Sequence, residues 1–498
     1  MAKLPHLPYH GCNCCSVSRR CFVASSIAAF TATSFMSVNA DEGSSDAPLD
    51  EPIELGSLRP KPKVRIREVI MRLKPPYWLG WPGTSYDLDG HRKEYEAAFG
   101  EMAESTGVTL EMDPTPIEAQ ENVAGWVAKA KADQVDAVLV HLQEIHCWPW
   151  ITPIIDAGIP LIVWAPVGTA FTQHVRRVAR LPKVHVISSL DTRAIEQAFR
   201  MIRAKRQFEE TRLLVVKGKE RKEAVLERLG TKVRYIPRDN LHELFNRMPL
   251  TDEARQIAKT MVANAEKVIE PTEEDMFNAA RAFLTAKRIC RDEKSNAMTS
   301  DCLGMVSSRV VPTPPCMAVS MFQDGGVTYG CEADVFGAMS LMLTSYLFDK
   351  PGFMNDPVPE TVENLLLAAH CVCGTRIDGF DKPQERHRLR SHSESDLGVA
   401  MQVLWKEGRP CTLVRFSNPN ELILDTGVVV GNQDTPPAGG CRTDVKIKMD
   451  RVEDSRDVLG FHQVVFAGNH RRDVENFCQM WGIKVVNSPE KAPREGAV

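Results

Sequence analysis

Residues 135–142 run Val135-Asp136-Ala137-Val138-Leu139-Val140-His141-Leu142, and residues 160–166 run Pro160-Leu161-Ile162-Val163-Trp164-Ala165-Pro166. Each is a short apolar block without polar alternation, so neither leaves a face for water. A strand covered on both sides belongs in a parallel sheet. Residues 151–157, between them, have helical spacing. Towards the N-terminus the rhythm repeats, with a strand over 64–73, a helix over 91–105, a strand over 108–112 and a helix over 122–132. Strands separated by helices predict βαβ units. The pattern restarts at 184–188, followed by a helix over 192–208 and strands over 212–217 and 233–237. The expectation is α/β, with two Rossmann-like parallel-sheet domains at 63–180 and 181–385.

The last third differs. Thr412-Leu413-Val414-Arg415-Phe416, residues 422–430, the alternating 444–449 and residues 463–466 read as strands with turns between them. The only late helix is 474–481. A C-terminal β-rich, barrel-like domain is therefore expected over 386–498.

Residues 1–40 hold Lys3, Arg19 and Arg20 and no acid. The net charge of −4 thus becomes −7 without them. Ser18-Arg19-Arg20-Cys21-Phe22-Val23 has the twin-arginine pattern. A mildly apolar run over 24–38 follows, and then the small-residue site Val38-Asn39-Ala40. This predicts a twin-arginine signal peptide over 1–40, a mature chain starting near Asp41 and a periplasmic location. Residues 41–62, acidic and rich in Ser and Pro, are expected to be a linker. No window reaches 18 uninterrupted apolar residues, so no membrane span is expected in the mature chain. Lys+Arg 61 against Asp+Glu 65 gives no whole-chain basic footprint, which argues against nucleic acid as a partner. Four of the 14 cysteines, Cys12, Cys14, Cys15 and Cys21, lie in the signal. The rest form no pair of CxxC motifs and are expected to be mostly buried thiols.

Residues able to do chemistry gather between 316 and 392 and again near 470. Cys331-Glu332-Ala333-Asp334 opens an apolar helix over 336–347, where the helix dipole alone would favour an acid. Asn355-Asp356-Pro357 reads as a turn. An apolar, helix-like run over 365–369 ends in His370-Cys371. His392 follows Arg386, His387, Arg388 and Arg390. Gly468-Asn469-His470 precedes the amphipathic helix 474–481. Each has an ordinary structural explanation by itself. Together, two carboxylates and two histidines near element ends make a mixed O/N set suited to Mn2+, Fe2+, Co2+ or Zn2+. A cysteine-rich zinc site would look different. There is neither a GxGxxG nor a Walker loop, so dinucleotide and ATP sites are unsupported.

Residues 311–375 resemble the metal-site region of the L-fucose/L-arabinose isomerase family. The matching pieces are Pro314-Pro315-Cys316-Met317-Ala318, Asp324-Gly325-Gly326, Cys331-Glu332-Ala333-Asp334-Val335-Phe336-Gly337-Ala338, Gly352-Phe353-Met354-Asn355-Asp356-Pro357 and Ala368-Ala369-His370-Cys371. Residues 466–486 are similar to that family's final histidine-bearing turn and helix. The resemblance implies metal carboxylates at Glu332 and Asp356 and a last metal ligand at His470. His370 would be a ligand or a substrate contact, and His392 a hydroxyl-binding group. It implies a divalent metal, Mn2+, a small-molecule sugar as substrate and a homo-oligomer. The implied reaction is aldose–ketose isomerisation through a cis-enediol, with Glu332 and Asp356 also acting as acid and base. The alternatives are an exported sugar-binding protein, or a family member with lost or altered catalysis.

Overall fold

The computed structural model describes residues 48–75, 79–436 and 439–489. The expected signal over 1–40 lies outside them. Among the described residues no helix is long and apolar enough to cross a membrane.

The first layer is built from β1 (Val64–Met71), α1 (Leu88–Thr106), β2 (Val108–Met112), α2 (Val123–Ala132), β3 (Ala137–Leu142), α3 (Thr152–Asp156), β4 (Leu161–Ala165), α4 (Thr172–Val178) and β5 (Val184–Ser188). The strands make one parallel sheet in the order β2-β1-β3-β4-β5. Every residue of β3 and β4 is buried, as the unbroken apolar runs require. The strand at 184–188 was expected to begin the second domain. It instead completes the first sheet by pairing with β4.

Helix α5 (Ala194–Glu210) leads into the second layer. That layer holds β6 (Arg212–Val216), β7 (Lys222–Leu226), β8 (Thr231–Ile236), α6 (Arg238–Arg247), α7 (Asp252–Asn264), β9 (Lys267–Val268), α8 (Glu273–Asp292), β10 (Ala297–Ser300), α9 (Cys302–Ser308), α10 (Cys316–Asp324), β11 (Tyr329–Gly330) and α11 (Val335–Phe348). Its sheet runs β11-β10-β6-β8-β7, parallel except for β7; β9 lies outside it.

The third layer contains β12 (Phe353–Glu360), β13 (Leu365–His370), β14 (His387–Arg390), β15 (Ala400–Val403), β16 (Pro410–Asn418), β17 (Glu421–Asn432), β18 (Thr443–Met449), β19 (Gln463–Ala467), α12 (Arg471–Trp481) and β20 (Lys484–Val486). Six strands close an antiparallel barrel in the order β16-β19-β12-β13-β18-β17, with β17 returning to β16. β20 adds to β17, and β14 joins β15 and β9 in a separate small sheet. Closure brings β17 and β18 close together. A Cβ added at Gly427 would meet the Lys448 carbonyl at 2.6 Å.

Two local expectations change here. Residues 365–369 form a strand, β13, and not a helix. Leu and Ala favour helix, but six residues are too few for a period to decide, and barrel closure prevails. Asp356 lies in β12 and not in a turn. Pro357 and Pro359 fit because β19 pairs only with Phe353, Met354 and Asn355, so their missing N–H groups are not needed on that side. Barrel strands thus begin at Phe353, earlier than 386.

Residues 48–62 also do more than link. The Pro48 carbonyl accepts from Arg288 (2.5 Å) and the Ile53 carbonyl from Lys287 (2.8 Å), both cations lying on α8. Arg59 pairs with Asp349 (2.6 Å), which also binds Arg203 (2.8 Å) and Arg200. Burial would raise the Asp349 carboxyl, but the three guanidiniums outweigh it and hold it at about 2. This cluster joins the N-terminal segment, α5 and the end of α11.

The first sheet contains an opposite case. Glu68 on β1 is fully buried, and neither carboxylate oxygen has a hydrogen-bond partner. Burial, reinforced by Glu96, raises its pKa to about 8. The fold therefore favours the protonated form. The destabilisation from ionising this group is absent below pH 4.5, grows through the interval up to 8 and is constant above it. Glu68→Gln should gain stability over the wild type across that interval, by on the order of 1 kcal/mol per pH unit. Thermal melts from pH 5 to 9 test this. A difference independent of pH would refute it.

Candidate metal centre

Glu332 follows β11, at the C-terminal end of the second parallel sheet, where open α/β sheets place ligands. The chain turns there with φ +57° at Glu332 and +54° at Ala333. Two successive non-glycine residues in the left-handed region are strained and need support from their surroundings. The Ala333 N–H donates to the Ser300 carbonyl (2.9 Å), and the Asp334 N–H to the Cys331 carbonyl (3.1 Å). Asp334 then caps α11 by accepting the Gly337 N–H at 2.9 Å.

The barrel supplies the rest. Asp356 lies on β12, His370 ends β13, and His462 immediately precedes β19. Ring nitrogens of His370 and His462 and a carboxylate oxygen of Glu332 all lie within 4.8 Å of one another. His462 Nε2 is 3.5 Å from Glu332 Oε2 and 3.3 Å from Asp356 Oδ1. His370 Nε2 is buried without a hydrogen-bond partner, and so is His462 Nε2. Glu332, Asp356 and His462 offer carboxylate and imidazole donors of the kind that suit one divalent ion, with His370 Nε2 beside them.

A second set of contacts fixes the set in place. His462 Nδ1 donates to Asp334 Oδ2 at 2.9 Å, leaving Nε2 directed between Glu332 and Asp356. Carboxylate-to-imidazole support of this kind orients metal-binding histidines. Arg415 on β16 grips the same carboxylate, Nη1 at 2.7 Å from Oδ2 and Nη2 at 3.2 Å from Oδ1. Burial would raise the Asp334 carboxyl, but Arg415 and His462 hold it well below the usual carboxylate range. Burial likewise opposes the charged form of His462. Its hydrogen bond to Asp334 and the carboxylate charges of Asp334 and Glu332 beside it outweigh that and lift it to about 9. An ion entering here must therefore displace a proton.

His370 is held differently. Its Nδ1 accepts the Cys371 backbone N–H at 2.8 Å. A neutral ring bonded this way carries its proton on Nε2 and offers a donor.

The structure thus brings Glu332, Asp356 and His370 together, and adds His462, which the sequence reading passed over. It does not bring His470 into the group. His470 precedes α12, stacks on Phe466 (centroids 5.5 Å apart, planes at 7°), and places Nε2 3.3 Å from Lys350 Nζ and Nδ1 3.6 Å from Asp473. β19 separates it from His462, and the six residue steps from 462 to 468 span roughly 20 Å at strand rise. The ligand role of His470 is what the resemblance of residues 466–486 to the isomerase family's final histidine-bearing turn implies. His462 had only its position at the start of a short strand to mark it. His392 lies at the margin, with Nδ1 2.9 Å from Ser395 Oγ, close enough to Cys371 to bias that thiol electrostatically.

No family model matches the chain. It is 25% identical over 154 residues to the sulfoquinovose isomerase of Clostridium sp. (strain MSTE9), covering 29% of this chain and 34% of that protein. The similarity thus spans about a third of the relative's length. Among solved structures, a carbohydrate transporter from Acidothermus cellulolyticus 11B in complex with myo-inositol is 14% identical, with 57% of this chain and 87% of that one covered and a TM-score of 0.19. A 5-methylthioribose transporter solute binding protein from Thermotoga lettingae TMO is also 14% identical, with 48% and 67% covered and a TM-score of 0.17. At such scores the likeness carries no argument.

The two late histidines are separable by mutation. His462→Ala should weaken Mn2+ binding at least tenfold, and Asp334→Asn by about 10- to 100-fold. His470→Ala should leave it within about twofold, since no shared ion reaches that ring. Calorimetric titration with Mn2+ measures all three, and loss of binding in His470→Ala alone would reverse the assignment.

Proposed function

We propose that the protein is a metal-dependent isomerase that interconverts an open-chain aldose and its ketose. The observation that carries this reading is His462 Nε2, aimed by Asp334 at the space between Glu332 and Asp356. Partial similarity to a sugar isomerase supports it.

Glu332, Asp356 and His462 would hold the ion, with Mn2+ the expected metal. When bound, it supplies Lewis acidity that polarises the sugar carbonyl and acidifies the neighbouring C–H. The two carboxylates come from different layers, Glu332 from the second α/β layer and Asp356 from the barrel, so a sugar between them has a base on either side. One carboxylate takes the proton from C2, O1 gains a proton, and a cis-enediol results. Return of a proton to C1 and loss of the O2 proton give the ketose. His370 presents Nε2–H to a sugar hydroxyl, and His392 is the next group outward able to contact one. Arg415 and Asp334 take no proton; they keep His462 in place. We infer further that the chain works as a homo-oligomer and is exported through its twin-arginine segment.

The purified protein should carry a divalent ion and convert at least one member of an aldose panel to a ketose. Glu332→Gln should lose both, because an amide is a poorer ligand for a hard cation and accepts no proton. Full turnover in Glu332→Gln would end this proposal. Sugar binding without metal or turnover would point to a binding protein instead. Export has its own test: N-terminal sequencing of the periplasmic protein should begin near Asp41, and a chain retaining Arg19-Arg20 would remove it.

A further inference from the structure

Two groups of cysteines flank the metal cluster, and the proposed reaction uses neither. All ten cysteines among the described residues are free thiols, nine of them buried. Cys302 opens α9 just past β10, and Cys331 follows β11 on the adjacent strand, where Thr299 pairs with Gly330. Their sulfurs are 3.0 Å apart. Cys331 immediately precedes Glu332. On the other side Cys371 immediately follows His370, and its sulfur lies 3.6 Å from Ser393 Oγ, which is 3.7 Å from Cys441. In that second group a hydroxyl bonds to both sulfurs, and Cys371 also bonds to Cys441. In the first the thiols meet directly at 3.0 Å, one residue from Glu332.

We propose that Cys302 and Cys331 form an oxidisable dithiol that closes to a disulfide under peroxide and thereby loosens the metal centre through Glu332. The inference rests on the metal-holding role given to Glu332 above. The oxidant is hydrogen peroxide; Cys302 and Cys331 are 5% and 3% exposed, so only a small oxidant suits them. One sulfur attacks a peroxide oxygen, the O–O bond breaks, water leaves and a sulfenic acid forms. The second sulfur displaces the hydroxyl, the S–O bond breaks, a second water leaves and the S–S bond forms. Two electrons pass from the sulfur pair to peroxide, and a small dithiol returns them.

Closure requires movement beside a ligand. A disulfide holds its sulfurs at about 2.05 Å, so the pair must approach by roughly 1 Å. Cys302 is anchored on one side by Asp301, whose N–H donates to the Val216 carbonyl (3.0 Å) and whose carboxylate caps α9 by accepting the Gly304 N–H (3.2 Å). Cys331 is followed by the left-handed residues Glu332 and Ala333, and its carbonyl is held by Thr299 Oγ1 at 3.2 Å and the Asp334 N–H at 3.1 Å. Any shift of Cys331 is passed first to its chain neighbour Glu332, in the strained turn. Metal ligation tolerates about 0.2 Å, so passing on a fraction of the closure is enough.

The test uses the full chain, reduced and then treated with hydrogen peroxide. Mass spectrometry of an unreduced digest should find the Cys302–Cys331 cross-linked peptide. Mn2+ titration should show affinity falling at least tenfold and returning with dithiothreitol. Cys302→Ser, or Cys302→Ala if the first folds poorly, should bind Mn2+ normally and keep that affinity after peroxide. Absence of the peptide from oxidised wild type overturns the proposal. So does a cross-link that leaves affinity within twofold, or equal peroxide sensitivity in the Cys302 variants. If the reduced wild type itself holds no Mn2+, the metal reading fails separately, and the cross-linked peptide alone decides the dithiol.

Discussion

One carboxylate, Asp334, holds the centre together. It caps α11, grips Arg415 of the barrel and aims His462. These are a local, an inter-layer and a functional task, performed by two oxygen atoms. A buried carboxylate is costly unless it is paired and hydrogen-bonded. Here the pairing ties α11 of the second layer to β16 of the barrel. Replacing Asp334 by an apolar residue would leave the Arg415 charge buried without this partner, and His462 free to turn. The stability of the interface and the geometry of the site are therefore one problem, solved by the same group.

The strained turn before Asp334 follows from that arrangement. Glu332 must point at the barrel while Asp334, two residues on, starts a helix that packs against it. Regular strand or helix backbone cannot do both within two residues, and the left-handed pair at Glu332 and Ala333 does. The cost is met by the hydrogen bonds to Ser300 and Cys331 and by the helix cap. Strain concentrated at one turn, with rigid elements on both sides, is the usual condition of a functional site.

What could be seen in the sequence divides along the same physical line. The buried parallel strands were legible because β3 and β4 are continuous apolar runs, and such runs have few other solutions. Glu332, Asp356 and His370 are marked by the resemblance of residues 311–375 to the isomerase family's metal-site region, beyond what residue type alone offers. His462 is not, because its importance comes from Asp334, 128 positions earlier in the chain and adjacent only after folding. β13 looked helical because Leu and Ala carry that preference and the barrel contacts that override it are non-local. The segment 48–62 looked like a linker because its contribution lies in backbone carbonyls offered to Lys287 and Arg288, which composition cannot reveal.

The two histidines of the site show how far hydrogen bonding, beyond residue type, sets chemistry. His370 and His462 have ring centroids 6.0 Å apart. Yet one Nδ1 faces a backbone N–H and the other faces a carboxylate. The first arrangement consumes the Nδ1 lone pair and leaves a proton on Nε2. The second consumes the Nδ1 proton and leaves a lone pair on Nε2 once the ring is neutral. An ion and a sugar hydroxyl want opposite things from an imidazole, a lone pair and a proton. The barrel end supplies one of each, side by side. Exchanging the two residues' surroundings, with the imidazoles unchanged, would exchange what each can bind. In the proposed reaction the division of labour thus resides in Asp334 and the Cys371 amide, not in the histidines themselves.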